Sequence, residues 1–139
     1  MLDETVRQQL LDLARRAREA AYAPYSNFTV GAAVLTAAGE IFTGANIENA
    51  SLGATICAER LAIFTAVAAG RRALTALAVI ADTPDPVAPC GLCRQVLAEF
   101  SPDCVIIVAN LAGRWQLLTL KELLPLAFRL PLGESGGGD

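Results

Sequence analysis

Cys57, Cys90 and Cys93 are the residues whose types and spacing first suggest chemistry. Cys90 and Cys93 stand three apart in "APCGLCRQVL", and Cys57 opens "CAERLAI" well upstream. A Cys-x-x-Cys pair on its own has three readings: a redox dithiol, part of a metal site, or buried thiols acting as small hydrophobes. A redox pair of the thioredoxin kind follows a strand, whereas this one follows the proline-rich loop "DTPDPVAP". The chain has no histidine. Ser-His-Asp catalysis, Cys-His catalysis and a histidine-ligated metal are therefore excluded. A site made of cysteine alone is not.

The elements that must position these sulfurs are two helix starts. "ICAERLAIFTAVAAG" reads as a buried helix closed by Gly70, and "CGLCRQVLAEF" as a short helix beginning just after Pro89. Amide groups at a helix start are unpaired and carry partial positive charge, which favours thiolate, the form that binds zinc. Cys90 and Cys93, spaced i, i+3, share one helix face. Three thiolates leave one position of a tetrahedral zinc open, as in catalytic sites. Glu59 lies two residues beyond Cys57. Mid-helix, that spacing points the two side chains apart, but not where Cys57 is still entering the helix. Glu59 is then placed to act as the proton-carrying base beside the metal without ligating it. Three thiolates overcompensate a doubly charged ion, and Arg60 with the two helix starts supplies counter-charge. Cys104, in the apolar run "CVIIV", reads as a core thiol.

Around these helices the chain reads as one compact unit. Leu2 to Ala21 is an amphipathic helix with Val6, Leu10, Leu13 and Ala17 on one face. "FTVGAAVLT" and "IFTGAN" form a hairpin across "AAGE", followed by the loop "IENASLGAT". "ALTALAVIA" is a nearly all-apolar, central strand covered on both faces. "CVIIVAN" is another buried strand, "RWQLLTL" an edge strand, and "KELLPLAF" a short last helix. Helices alternating with strands after an opening hairpin predict an α/β fold, a three-layer α/β/α sandwich on one mixed, roughly five-stranded sheet. Residues 1–132 are expected to form a single domain, and 133–139 a flexible Gly-rich tail.

Net charge is −3 and no basic patch stands out, so a long nucleic acid partner has no electrostatic footprint. "MLDETVRQQL" is not a signal peptide, and Ala20 to Gly39 is too interrupted by polar residues to span a membrane. A soluble, cytoplasmic protein with reduced cysteines is expected. Apolar residues make up 54% of the chain, more than a small domain readily hides, which suggests a hydrophobic subunit interface.

The pattern C-x-E … P-C-x-x-C is close to the signature of zinc-dependent nucleobase deaminases, with cysteine in place of histidine. The sequence resembles the cytidine deaminases of the small, homotetrameric, three-cysteine type, through "PYSNFTVGAAV", "GANIEN", "ICAERLAI", "PCGLCRQV" and "KELLP". That resemblance implies one zinc per chain held by Cys57, Cys90 and Cys93, with Glu59 as proton shuttle. It implies that Asn46 and Glu48 hydrogen-bond the ribose hydroxyls and that Phe28 lines the nucleoside pocket. The backbone at Ala58 matches a contact to the pyrimidine, Arg60 a donor to the zinc thiolates, and Phe128 a ring that packs on the base in a neighbouring subunit. Leu52 departs from the family, where a tyrosine commonly lends a hydroxyl across the interface; leucine cannot hydrogen-bond.

The activity implied is hydrolytic deamination of cytidine and deoxycytidine to uridine and deoxyuridine with release of ammonia, a step of pyrimidine salvage. Zinc is the sole cofactor expected, and the partners are a nucleoside and further copies of the chain, not a membrane. Three rivals remain: a deaminase of another aminopyrimidine such as blasticidin S, a non-catalytic zinc-stabilised binding domain, and a thiol oxidoreductase. "NIEN" argues against the first, because that pair suits a ribose, and Glu59 argues against the second.

Overall fold

The structure, a computed structural model, describes residues 2–132. The expected tail at 133–139 lies outside the described residues. Five strands form one mixed sheet: β1 (Val30–Thr36), β2 (Ile41–Ala45), β3 (Leu74–Ala81), β4 (Val105–Asn110) and β5 (Trp115–Thr119). Their spatial order is β2-β1-β3-β4-β5. β1 pairs antiparallel with both β2 and β3, β3 runs parallel to β4, and β5 closes the sheet antiparallel to β4. The nearly all-apolar strand is central, as its composition predicts, and β5 is an edge.

Alternate residues of the sheet supply two cores. On one face Ala33, Ala78, Ile80 and Ile107 pack under α1 (Glu4–Arg18) through Leu10, Leu11 and Ala14. On the other, Val34, Leu77, Val79 and Ile106 pack under α2 (Ala58–Ala68) and α3 (Gly91–Phe100) through Ala62, Ile63 and Leu97. The result is the three-layer sandwich. The stripe of α1 is rotated from the expected one: Leu10, Leu11 and Ala14 are buried, while Val6 and Leu13 only flank them. Small residues in the strands beneath let this helix sit close.

Two local features carry the site. Gly44 in β2 faces α2 so closely that an added Cβ would meet the backbone oxygen of Ala58 and lie 2.6 Å from the nitrogen of Ala62. Only hydrogen fits there, and that closeness fixes where α2 begins. Between β2 and α2 the chain is tied down by paired backbone bonds between Ile47 and Ile56, 3.0 Å each way, and by Glu48 N–H to the Tyr22 carbonyl at 2.8 Å. The expected last helix is shorter than its sequence suggests. α4 spans Leu120–Leu123 and ends before Pro125, with Leu126 in the left-handed region at φ 54°. Proline drives the residue before it out of helical geometry. No helix among the described residues is long and apolar enough to cross a membrane.

Candidate active site and metal centre

Cys57 is the N-cap of α2 and Cys90 the N-cap of α3; both have extended backbones, and neither side chain makes a capping hydrogen bond. Their sulfurs are thus left unspent by the helices they start. Cys93, one turn into α3, is fully buried, and Pro89 before Cys90 is buried too. The Arg94 guanidinium donates to the carbonyls of Pro89 and Leu123, both at 2.8 Å, which braces the approach to α3.

The three sulfurs converge. Cys57 Sγ lies 3.7 Å from Cys90 Sγ, Cys90 Sγ lies 3.5 Å from Cys93 Sγ, and all three fall within 4.8 Å of one another. A tetrahedral metal with Zn–S bonds of about 2.3 Å needs sulfurs about 3.8 Å apart, so the donor set and its spacing fit zinc. Among the described residues this is the one group of three or more potential side-chain ligands so arranged. Cys104 stands apart, buried in the core, its thiol pushed up to about 12 by burial alone.

The electrostatics suit a metal as well. Hydrogen bonding from Cys93 pulls the Cys57 thiol down to about 5 against the cost of burial, with Arg60 assisting. Arg60 Nη2 donates to Cys57 Sγ at 3.4 Å, and its buried Nε has no partner among the described residues. Cys93 is pushed the other way, first by its bond to the Cys57 sulfur and then by its burial. Thiolate character at this cluster therefore collects where a cation is already paired with it. Glu59, the second residue of α2, is 6% exposed, and burial pushes its carboxyl up to about 7. Because Cys57 is still extended, both side chains reach the same cavity, as the sequence argument requires.

That cavity has a volume of about 240 Å³. Cys57, Glu59, Cys90, Phe28, Asn46 and Ala58 line it, and Cys93 does not. Asn46 is not the solvated loop residue its sequence position suggests. It is 8% exposed, accepts from Val30 N–H at 2.8 Å and donates to the Phe28 carbonyl at 2.7 Å. Glu48 and Leu52 instead face an adjoining depression with Tyr25 and Ser26, joined to the first by Thr55, which borders both. Phe128 lines neither. Its ring is 67% exposed, and its carbonyl accepts from Gln95 Nε2 at 2.8 Å. Sequence reasoning missed Thr55, Val79, Ala81 and Val87 in the cavity wall. The ends of β3 and the "VAP" approach to Cys90 were the signal available for three of them.

A family model for the cytidine and deoxycytidylate deaminase zinc-binding region matches residues 4–109. The chain belongs to this family, and zinc is its cofactor. Among its relatives, a cytidine deaminase of Halalkalibacterium halodurans is 56% identical over 123 residues, covering 88% of this chain and 93% of the relative. The crystal structure of cytidine deaminase from Burkholderia pseudomallei superposes with a TM-score of 0.85 at 48% identity, covering 87% of this chain and 98% of that one. A blasticidin-S deaminase of Bacillus cereus is more distant, 32% identical over 88% of this chain and 94% of the relative.

Proposed function

We propose that the chain hydrolytically deaminates cytidine and deoxycytidine, giving uridine and deoxyuridine with ammonia. The observation that carries this reading is a buried carboxyl, Glu59, lining the same pocket as Asn46 and two sulfurs of a three-cysteine cluster, those of Cys57 and Cys90. Cys57, Cys90 and Cys93 hold the zinc. When bound there, zinc supplies the Lewis acidity that makes water nucleophilic near neutral pH. Arg60 pairs with the Cys57 sulfur and offsets part of the cluster's negative charge.

Glu59 carries the protons. It takes one from the attacking water and delivers it to ring N3, then takes a second to the amino group leaving C4, so that water enters and ammonia departs. A carboxyl whose burial raises its affinity for protons suits a carrier better than an exposed one. Phe28 and the Ala58 backbone flank the base, and Asn46 and Glu48 receive the ribose. Greater distance in sequence from a blasticidin-S deaminase than from cytidine deaminases supports the nucleoside as substrate. Ammonia release from a panel of cytidine, deoxycytidine, cytosine, adenosine and blasticidin S tests the reading. Cytidine and deoxycytidine should lead, and preferential turnover of blasticidin S would overturn it.

The same reading takes residues 1–132 as one deaminase domain that works as a homotetramer in the cytoplasm, in pyrimidine salvage. Exposed apolar side chains support an interface: Leu52, Leu92, Phe128, Leu130 and Leu132 are each at least 64% exposed. In this arrangement Phe128 packs on the base held by a neighbouring subunit. Mixing a Cys57→Ala variant with a Phe128→Ala variant should restore activity above the mean of the parents, because some hybrid sites are then intact. Hybrids that form, by tagged co-purification, yet stay at the mean would refute the shared site.

A further inference from the structure

Ser26 sits outside the pocket that holds the sulfurs, yet its hydroxyl is the middle of a three-member chain. Phe28 N–H donates to Ser26 Oγ at 3.0 Å, and Ser26 Oγ–H donates to Glu48 Oε2. The backbone N–H groups of Tyr25 and Ser26 donate to the other carboxylate oxygen, Glu48 Oε1, at 2.9 and 3.1 Å. Asn27 between them takes the left-handed conformation, φ 59°, which folds the turn so that Ser26 and Phe28 come together. A hydroxyl that accepts one bond has its proton directed toward its remaining partner. The Phe28 amide thus aims the Ser26 proton at Glu48.

We propose that Ser26 is the positioning residue for sugar recognition: it fixes the rotamer of Glu48 so that one acceptor direction is left for a substrate hydroxyl. A carboxylate offers about four acceptor positions. Oε1 is filled by two backbone donors and Oε2 half-filled by Ser26. The one direction left, on Oε2, is held by its neighbours and not chosen by a mobile side chain in solvent. A glutamate on a turn otherwise samples several rotamers and must lose that freedom each time it binds. The hydrogen bond from Ser26 is also the largest contributor holding Glu48 below the usual carboxylate range, which keeps it an acceptor. Through Phe28, whose carbonyl is held by Asn46, the same chain joins Glu48 to the wall of the main pocket.

This rests on the reading of Glu48 as a ribose contact, and the experiment separates the two. Steady-state kinetics of the zinc-loaded enzyme on cytidine are compared for Ser26→Ala, Ser26→Thr, Glu48→Ala and the Ser26→Ala/Glu48→Ala pair. Ser26→Ala should raise KM about ten-fold, the effect of losing one hydrogen bond to a charged group, with kcat within about two-fold. Ser26→Thr, which keeps the hydroxyl, should restore KM. On the Glu48→Ala background, Ser26→Ala should add nothing further, because it acts through that carboxylate. An unchanged KM in Ser26→Ala while Glu48→Ala raises it overturns the proposal and spares the ribose reading. So does an effect of Ser26→Ala that persists in full on the Glu48→Ala background. A Glu48→Ala enzyme with normal KM for cytidine overturns both.

Discussion

Glu59 and Glu48 are two carboxylates in adjoining depressions, and the protein treats them oppositely. Glu59 is 6% exposed and is pushed up to about 7 by burial. Glu48 is only partly buried and is held below its ordinary value by donors from a turn more than twenty residues away in sequence. At the inner end, packing sets position: Cys57, Glu59 and Cys93 sit on helices pressed against the sheet. At the rim, hydrogen bonds between turns do the same work with little burial. Proton transfer needs a group that can hold or give up a proton near neutrality. Sugar recognition needs one that stays an acceptor.

The sharpest way to break this contrast is Glu59→Gln. Activity should fall on the order of 10²–10⁴-fold, because glutamine keeps the shape but moves no proton. Zinc content by mass spectrometry and the thermal midpoint should hardly change, since an amide matches the carboxyl in size and shape. Near-normal turnover in the metal-replete variant would remove Glu59 from the chemistry.

Gly44→Ala attacks the packing at the inner end without touching a functional group. The new methyl meets the backbone of α2 at Ala58 and Ala62. Overpacking of this kind costs about 1–3 kcal/mol. A shift of about 1 Å in the start of α2 is enough to lower turnover roughly 10²-fold. Zinc affinity should fall with it. A variant with wild-type stability and zinc retention would show that α2 is not held by this contact.

Asn46→Ala, in the pocket wall, and Glu48→Ala, in the adjoining depression, should differ in kind. Both should raise KM for cytidine roughly ten-fold while sparing residual activity on free cytosine. Only Asn46→Ala should also destabilise the fold, by about 1–3 kcal/mol, because it strips partners from the Phe28 carbonyl and the Val30 amide. Equal loss on cytidine and cytosine would mean these residues support the fold and not the sugar. The smallest effect belongs to Cys104→Ser. Activity should stay within about two-fold, since the site is not among its contacts. Metal content should not move, and a loss of zinc here but not in Cys57→Ser would reassign the ligands.

The inner end was far more legible in the sequence than the rim. Helix starts announce themselves locally, so Cys57 and Cys90 could be placed at caps from the proline, the turn residues and the apolar run behind them. The central place of the all-apolar strand and the edge position of "RWQLLTL" followed from composition, while the full strand order did not. Errors fell where a local rule was overridden or underweighted. Pro125 was visible inside "KELLPLAF" and does end α4 early, yet periodicity suggested a longer helix. The rotated stripe of α1 depended on how closely small strand residues let it approach. The clasp between Ser26 and Glu48 left no trace, because it joins two turns whose meeting is decided by the sheet between them. Likewise Asn46 reads as a loop polar residue until the Phe28 and Val30 backbones are seen to need it.

The unspent caps leave helix stability unclaimed. A serine or aspartate at either position would bond its own helix and stabilise it by about 1 kcal/mol. Cys57 and Cys90 do not, so these two helix starts forgo that bond and leave their sulfurs available to a metal. Whatever binds only the folded state adds to its stability by mass action. A metal held by these sulfurs would therefore add back, at both helix starts, the restraint that their side chains do not supply.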